Sequence, residues 1–265
     1  MKKLLAFVLA LLPLTVLAAG GSGWPLDKIE LNLRDKESLQ RGAQVYMNFC
    51  MGCHSLQYER YERMVTGLGV PQDLVEQHLK FDASAKIGDL MENSMQEPMA
   101  KVWFGAAPPD LTLVARARGP EWLYTYLRTF YKDPARPWGV NNKVFPDVGM
   151  PHVLLELQGL QECAPGPVLA SNGGVKQDPL TGKEVLFGAD GQPLNPCGRL
   201  QVTQPGTLTP AEYDQSMYDL VNFLEYVAEP MQEDRKRLGI YVLAFLALLF
   251  VFAWLLNREY WKDVH

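Results

Sequence analysis

The sequence predicts a mostly α-helical domain with a Gly- and Pro-rich insertion, followed by one C-terminal transmembrane helix. Apolar residues recur at helical spacing, Gly and Pro are dense over residues 160–206, and an uncharged apolar run covers residues 238–256. The 265 residues are 48% hydrophobic and carry a net charge of −5. This composition excludes a disordered or collagen-like chain and argues against a nucleic-acid-binding protein.

The N-terminus is typical of a secretory signal peptide. Two lysines precede an apolar run over residues 4–17, and cleavage is expected after Ala18 or Ala19. A short membrane helix is the alternative, but the run is shorter than the ~17–25 residues that a span needs. The signal peptide, residues 1–19, therefore predicts that the domain at residues 20–237 is exported to the periplasm.

The domain elements follow in order from the apolar spacing. An extended lead over residues 24–34 precedes a helix that Asp35 would cap. The predicted helices cover residues 36–50, 71–80, 84–96, 111–117 and 120–131. Residues 132–151 read as irregular, and the insertion is expected to hold a hairpin around residues 189–191. Thr209 and Glu212 form a capping box that begins the last helix of the domain, which Pro230 should interrupt.

The apolar run at residues 238–256 predicts a membrane anchor. Its 19 residues span about 28 Å as a helix, close to the ~30 Å of a hydrocarbon core. A buried helix of a soluble domain is the alternative, but it would normally keep a polar stripe. Aromatic residues lie near the ends of the run, as interfacial side chains do: Tyr241, Trp254, Tyr260 and Trp261.

The charges flanking the anchor conflict with the signal peptide. Basic residues at 235–237 precede the run, so the positive-inside rule alone favours the opposite topology. We give precedence to the signal peptide, because large domains translocate regardless of flanking charge. The tail, residues 257–265, is then cytoplasmic, and the protein is a single-pass protein of the inner membrane. Because the leader contributes +2 and the tail is neutral, the exported part carries −7, which suits solubility and could also steer a basic partner.

The most specific motif is Cys50-Met51-Gly52-Cys53-His54, which has the C-x-x-C-H spacing of c-type haem attachment. Two cysteines three apart at a helix end project to one side, where their thiols can add to the two haem vinyl groups. His54 is then held beneath the iron as its proximal ligand. The motif predicts one covalent haem c and, with the helical pattern, a class I-like c-type cytochrome domain.

Three other interpretations of this motif fit the sequence less well. A thioredoxin-type redox pair normally lies beside a βαβ pattern, whereas this region is helical. A zinc site needs four ligands at close spacing, and the sequence has no second C-x-x-C and no H-x₃-H. A disulfide between Cys50 and Cys53 would close a very tight loop.

The residue pattern leaves several candidates for the second axial ligand of the iron. Five of the ten methionines lie in apolar helical segments, where core packing explains them: Met64, Met91, Met95, Met99 and Met217. Met150 differs, because Gly149 and Pro151 flank it in an irregular loop that can approach a haem. Met150 is favoured, and His78 and His152 remain alternatives. A thioether ligand favours ferrous iron and raises the potential.

Two further pairs of residues stand out. Cys163 and Cys197 are expected to form a disulfide in an oxidising compartment. The bond would close a loop of about 35 residues and stabilise the protein by ~3–4 kcal/mol in the chain-entropy model. Two buried free thiols are the alternative.

Arg116 and Arg118 are candidates to pair with haem propionates. They lie two apart and point in different directions, so at most one reaches the haem, and a solvated pair is the alternative.

Together these segments resemble the cytochrome c1 family, the haem subunits of the ubiquinol–cytochrome c reductase (bc1) complex. The matching stretches are CMGCHSLQYERY (50–61), GAAPPDLTLVARAR (105–118), VGMPHVL (148–154) and NFLEYVAEPMQEDRKRLG (222–239). The resemblance implies that Met150 is the axial methionine and Arg118 the propionate contact, and that Pro108 and Pro109 lie beside the haem. Residues 160–206 depart from the pattern, because in the family a disulfide-braced insertion tends to precede the methionine.

The resemblance also implies a function. An electron would pass from the Rieske iron–sulfur protein through the haem to a soluble or anchored cytochrome c, with cytochrome b as a partner in a dimeric complex. The chain would be a redox subunit of the reductase without a substrate-turnover site of its own. The alternatives are a membrane-anchored monohaem shuttle to a terminal oxidase or reductase, and a haem-free thiol oxidoreductase.

Overall fold

The structure is a computed structural model that describes residues 24–168, 175–179, 181–188 and 190–262; the predicted signal peptide lies outside them. The helices are α1 (Lys36–Phe49), α2 (Glu62–Thr66), α3 (Gln72–Leu74, continued by a π-helical turn at Val75–Leu79), α4 (Glu97–Phe104), α5 (Val114–Arg118), α6 (Pro120–Arg128), α7 (Leu155–Gln158), α8 (Pro210–Ala228) and α9 (Gln232–Tyr260). The strands are β1 (Leu56–Arg60), β2 (Leu90–Met91), β3 (Phe130–Lys132), β4 (Val140–Asn142), β5 (Gly159–Ala164) and β6 (Arg199–Pro205). They form three antiparallel pairs, β1–β2, β3–β4 and β5–β6.

The helices α1 and α8 pack together at the centre of the fold. Gly42 allows this close contact, because a Cβ at that position would lie 2.0 Å from the carbonyl oxygen of Asp219. Nearby, the fully buried rings of Tyr46 and Phe223 lie with centroids 5.8 Å apart. Burying a side chain the size of Phe223 contributes about 1.5–3 kcal/mol. The helix that carries the haem motif is therefore fixed against the core.

Buried polar groups fix the register of the same two helices. Asp35 caps α1 as predicted, since its carboxylate accepts a hydrogen bond from the Ser38 N–H at 3.1 Å. The buried carboxylate of Asp219 accepts from Ser38 Oγ at 2.7 Å and from Arg41 Nε at 2.6 Å. A buried carboxylate is costly unless it is paired in this way. A shift of α1 along α8 would break these bonds.

The helix predicted to run from Pro120 to Tyr131 is shorter than expected. α6 ends at Arg128, and the next residues form β3, in which Phe130 lies opposite Asn142. Phe130 is buried in the strand, as it would be in a longer helix, so apolar spacing alone does not locate the helix end. Strand pairing with residues eight to twelve positions further along the chain decides it.

The prediction of a helix over residues 84–96 is wrong. Asp89 accepts a hydrogen bond from the Lys86 N–H at 2.8 Å in a local turn, and Leu90–Met91 then pairs with β1. Short polar side chains such as Asp89 and Asn93 compete with helical hydrogen bonds. The apolar spacing in this segment reflects the burial of Met91 in the core.

The insertion is built on the antiparallel pair β5–β6. Cys163 lies opposite Leu200, and a disulfide joins Cys163 to Cys197, whose Cα atoms are 4.5 Å apart. Within the hairpin region expected around residues 189–191, the Gly188 N–H donates to the Gln192 carbonyl at 2.8 Å. Ala189 lies outside the described residues.

Side-chain hydrogen bonds attach the insertion to the rest of the domain. Gln161 Nε2 donates to the Phe130 carbonyl at 2.9 Å. Lys143 Nζ donates to the Cys197 carbonyl at 2.6 Å. The insertion thus rests against the side of the domain that holds β3 and the chain leading to Met150.

The last domain helix and the anchor are separated as the sequence predicts. Thr209 and Glu212 form the capping box of α8, and the helix ends at Ala228, two residues before Pro230. Next to this break, the Glu229 carboxylate accepts from Arg235 Nη2 at 2.9 Å and lies 3.6 Å from Arg116 Nη1. Ion pairs therefore bridge the junction between α8 and α9.

α9 is long and apolar enough to cross a membrane. It contains 29 residues, and none of its most apolar 18-residue window is buried within the protein. Such a continuous apolar surface needs an apolar solvent or partner. The helix continues to Tyr260, so the predicted tail at residues 257–265 begins as helix, and its last three residues lie outside the described part.

Candidate haem site

The C-x-x-C-H motif forms a tight turn at the end of α1. The Cys50 N–H donates to the Tyr46 carbonyl at 2.8 Å and so closes the helix. The N–H groups of Cys53 and His54 then both donate to the Cys50 carbonyl, at 3.0 and 2.8 Å. These bonds bring the two cysteines and the histidine together at one helix end. Gly52, at the turn, has open space where a side chain would be.

Tyr46 supports the turn from inside the core. Its side chain is fully buried, and its hydroxyl donates to the His54 carbonyl at 2.5 Å. The hydroxyl also lies 3.2 Å from the Met51 sulfur. The backbone of the motif is thus tied to the α1–α8 core, whereas the apolar spacing of the sequence predicts only a core-packing role for Tyr46.

The two motif cysteines are not joined by a disulfide. Cys50 is buried and Cys53 half-buried, and neither forms a disulfide. Burial raises the pKa of the Cys50 thiol to about 12 and also raises the pKa of Cys53, so both are neutral at physiological pH. A low-pKa redox thiol of the thioredoxin type would need the opposite shift.

The surroundings also disfavour the other interpretations of the motif. The described sheets are antiparallel pairs without the βαβ pattern of a thioredoxin-like site. Within the described residues, no group of three or more His, Cys, Asp or Glu side chains is arranged to hold a metal, as a zinc site would require.

His54 has one ring nitrogen engaged and the other available. Its Nδ1 lies 2.7 Å from the Pro109 carbonyl, an acceptor, so Nδ1 carries the proton and donates. This leaves the Nε2 lone pair for a metal, the arrangement by which a carbonyl orients a histidine ligand. Burial lowers the pKa of His54, which keeps the imidazole neutral as ligation requires.

The Pro108–Pro109 loop is held in place by Asp110. One carboxylate oxygen of Asp110 accepts from the Gln57 N–H at 2.7 Å, and the other accepts from the Thr112 N–H at 2.9 Å. The loop is therefore fixed to the chain that leaves the motif. Pro108, Pro109 and Cys53 border an open cleft of about 430 Å³.

Met150 lies in a loop whose shape depends on side chains. Asp147 adopts a positive φ of 62°, rare for a non-glycine residue, and its N–H donates to Asn141 Oδ1 at 2.8 Å. Arg136 donates to the Asp147 carboxylate at 3.1 Å. The half-buried Met150 sulfur accepts a hydrogen bond from the Tyr126 hydroxyl at 3.3 Å.

The alternative ligands lie in different surroundings. His78 is exposed on the π-helical turn. His152 stacks on Phe130 with centroids 4.8 Å apart, and its buried Nε2 has no hydrogen-bond partner. Burial lowers the pKa of His152 to about 4. His152, two residues from Met150, is therefore the stronger of the two alternatives.

The two arginines diverge, as their spacing predicts. Arg116 turns toward Glu229, between α8 and α9. Arg118 instead lies over the Trp122 ring, 5.1 Å from its centroid, and 5.9 Å from that of Phe145. Among the described residues no carboxylate pairs with Arg118, so its charge is available to an anionic group. Trp122 also stacks on Tyr126, which connects Arg118 to the neighbourhood of Met150.

Comparisons with known proteins extend these observations. A sequence model of the Cytochrome C1 family matches residues 24–160 and 203–264, leaving a gap that coincides with the insertion. Cytochrome c1 of Allochromatium vinosum is 47% identical over 265 residues and covers all of both chains. The ammonia monooxygenase gamma subunit of Nitrosomonas europaea is 40% identical and covers 99% of this chain and all of that one. Cytochrome c1 of Rhodospirillum rubrum is 28% identical, over 87% of this chain and 83% of its own.

Proposed function

The chain belongs to the cytochrome c1 family, and we propose that it binds one haem c through thioethers from Cys50 and Cys53, with His54 and Met150 as the axial ligands of the iron. It is the electron-transfer subunit of a bc1-type quinol–cytochrome c reductase. The observation that carries the residue assignment is the position of His54, whose Nδ1 meets the Pro109 carbonyl and whose Nε2 is left for iron.

The residues present fit this cofactor. Two neutral free thiols three residues apart, next to an oriented neutral imidazole, are the donor set that haem c requires. A thioether in a Gly/Pro loop supplies a second ligand of the kind found in high-potential cytochromes. Arg118 offers a positive charge without a carboxylate partner in the described part of the chain.

When bound, the haem supplies a one-electron Fe(III)/Fe(II) couple. The chain fixes the axial imidazole through Pro109 and Tyr46, and it holds the Met150 sulfur against Tyr126. With His54 and Met150 both holding the iron, the chain would have no substrate-turnover site of its own. Arg118 would balance the charge of a propionate.

The partners follow from the proposed place in the complex. The Rieske iron–sulfur protein delivers the electron, a soluble or anchored cytochrome c receives it, and cytochrome b lies beside the anchor in a dimeric complex. The predicted charge of −7 on the exported part would attract a basic acceptor. We propose that α9 spans the inner membrane, with the haem domain in the periplasm and the C-terminus in the cytoplasm.

Purification of the full chain in mild detergent tests this function. We expect a c-type pyridine haemochrome spectrum and co-purification with a cytochrome b and a Rieske protein. Isolation as a single red protein would favour an anchored shuttle, and a colourless protein would favour a thiol oxidoreductase. Co-purification with monooxygenase subunits would place the chain in the kind of complex for which its relative from Nitrosomonas europaea is named.

A further inference from the structure

The Tyr126 hydroxyl is positioned to act on Met150. It lies on α6 and donates to the Met150 sulfur at 3.3 Å, a normal length for a hydrogen bond to sulfur. A thioether sulfur has two lone pairs. A hydrogen bond to one of them leaves the other free to bind a metal, so donation by Tyr126 is compatible with ligation by Met150.

The Tyr126 ring is held in a single orientation by its neighbours. Trp122 stacks on it with centroids 4.9 Å apart and planes only 9° from parallel. Phe130 meets it edge-on at 5.1 Å and 71°. The Tyr126 carbonyl accepts from Asn142 Nδ2 at 2.7 Å, which ties this residue to the chain that leads to Met150. The hydroxyl is therefore already ordered before the Met150 sulfur binds a metal.

The chemical effect of this hydrogen bond has a definite sign. A donor withdraws electron density from the sulfur, which makes the sulfur a weaker σ-donor to the iron. If Met150 holds the iron, the positive end of the O–H dipole would also lie close to the site where positive charge increases on oxidation. Both effects disfavour ferric iron relative to ferrous iron, and hydrogen bonding around the axial ligands is one of the protein's means of tuning a haem potential.

We propose that Tyr126 is a positioning residue that raises the midpoint potential of the haem and weakens the bond between the Met150 sulfur and ferric iron. This proposal rests on the proposed function, because it requires Met150 to be the axial ligand. A purely structural role is the alternative, in which the ring packs against Trp122 and Phe130 and the hydroxyl has no effect on the iron.

The substitution Tyr126→Phe separates these roles, because it removes the hydroxyl and keeps the ring. In the detergent-solubilised complex we expect the ferric-to-ferrous ratio at a fixed ambient potential to rise about threefold. This corresponds to a fall in midpoint potential of about 28 mV at 59 mV per tenfold for a one-electron couple. The matched control is Tyr124→Phe, on the same helix, whose ring lies under the Arg128 guanidinium at 4.6 Å. We expect no change in that control.

A second measurement uses imidazole as a competing ligand for ferric iron. If the hydroxyl weakens the sulfur–iron bond, Tyr126→Phe should need about threefold more imidazole for half-displacement. An unchanged potential and an unchanged imidazole midpoint in Tyr126→Phe would overturn the proposal, as would equal shifts in Tyr124→Phe.

Failure of the proposed ligation is recognised independently in the unmutated protein. A ferric haem with a methionine ligand has a weak charge-transfer band at the red end of the visible spectrum. If the unmutated protein lacks this band, Met150 is not the ligand, and both the ligand assignment and the role of Tyr126 are wrong. If the band is present and Tyr126→Phe changes nothing, the ligation stands and only the role of Tyr126 is refuted.

Discussion

The two proposed ligands of the iron are held by different kinds of structure. His54 follows a helix packed in the core, and backbone carbonyls and the buried Tyr46 fix it. Met150 lies in an irregular loop, which side-chain hydrogen bonds of Asn141 and Arg136 to Asp147 hold in shape. A helix end in the core costs more to distort than a loop held by side chains. We therefore expect the histidine side to be rigid and the methionine side to be the first to yield.

The largest expected effect is that of replacing His54. In His54→Ala the proximal ligand is lost and the motif no longer retains haem, so we expect almost no stable holoprotein. Haem staining after denaturing electrophoresis, together with the haemochrome spectrum, measures this. The control is His78→Ala, in an exposed position, which should leave the haem content normal. Normal haem content in His54→Ala would remove His54 from its proposed role.

Replacing Met150 should leave the covalent attachment of the haem intact and alter the redox and ligand-binding properties of the iron. In Met150→Leu we expect the two thioethers to form, the midpoint potential to fall, and carbon monoxide to bind the reduced haem. Met99→Leu is the control, since Met99 is 46% exposed on α4. If the midpoint potential falls in His152→Ala and not in Met150→Leu, the axial ligand is His152 and the assignment to Met150 is wrong.

The substitution Gly42→Ala tests the rigidity of the histidine side. The added methyl group would meet the Asp219 carbonyl at 2.0 Å, so α1 and α8 must separate. Overpacking of this kind costs about 1–3 kcal/mol. We expect a lower temperature of thermal unfolding, with the haem losing both ligands in one transition. Gly88→Ala, where open space surrounds the new methyl group, should unfold like the parent protein.

An effect of comparable size, but confined to the loop, is expected on the methionine side. The buried Asn142 amide oxygen accepts from the N–H groups of Val144 and Phe145 at 2.9 and 3.1 Å. We expect Asn142→Ala to cost about 1–3 kcal/mol, mostly in the loop, because these donors lose their partner. In guanidinium, loss of the sulfur–iron band should then precede unfolding of the helices.

The buried amide of Asn222 provides the matched control for that experiment. Its Nδ2 donates to the Asn32 carbonyl at 2.9 Å and to Ser38 Oγ at 3.0 Å, within the α1–α8 pair. Asn222→Ala should lower the midpoints of the band and of helix unfolding together. If both asparagine variants behave alike, the two sides of the site do not differ in rigidity.

The sequence predicts the histidine side well because its determinants are local. The cap at Asp35, the helix and the turn at Cys50–His54 depend on residues within a few positions of one another. The capping box at Thr209 and the break at Pro230 are found for the same reason. Met150 is singled out by the glycine and proline beside it, which is also a local signal.

The predictions from the sequence fail where contacts between residues far apart in the chain determine the structure. The segment at residues 84–96 has helical apolar spacing, but Met91 pairs with Leu56 of β1 instead. α6 ends early because Phe130 pairs with Asn142. The roles of Asp110 and Tyr126 are missed for a related reason: each acts through a partner far along the chain, and a lone Asp or a tyrosine in an apolar stripe carries no such signal.

The ion pairs at Glu229 link α9 to α5, the helix that follows the Pro108–Pro109 loop. Arg116 reaches Glu229 from α5, which begins four residues after Asp110, and Arg235 reaches it from the first turn of α9. If α9 spans a membrane as proposed, a change in its tilt would act on the segment that orients the His54 imidazole. Hydrophobic mismatch with the bilayer, to which a spanning helix can respond by tilting, would then reach the surroundings of the proposed haem.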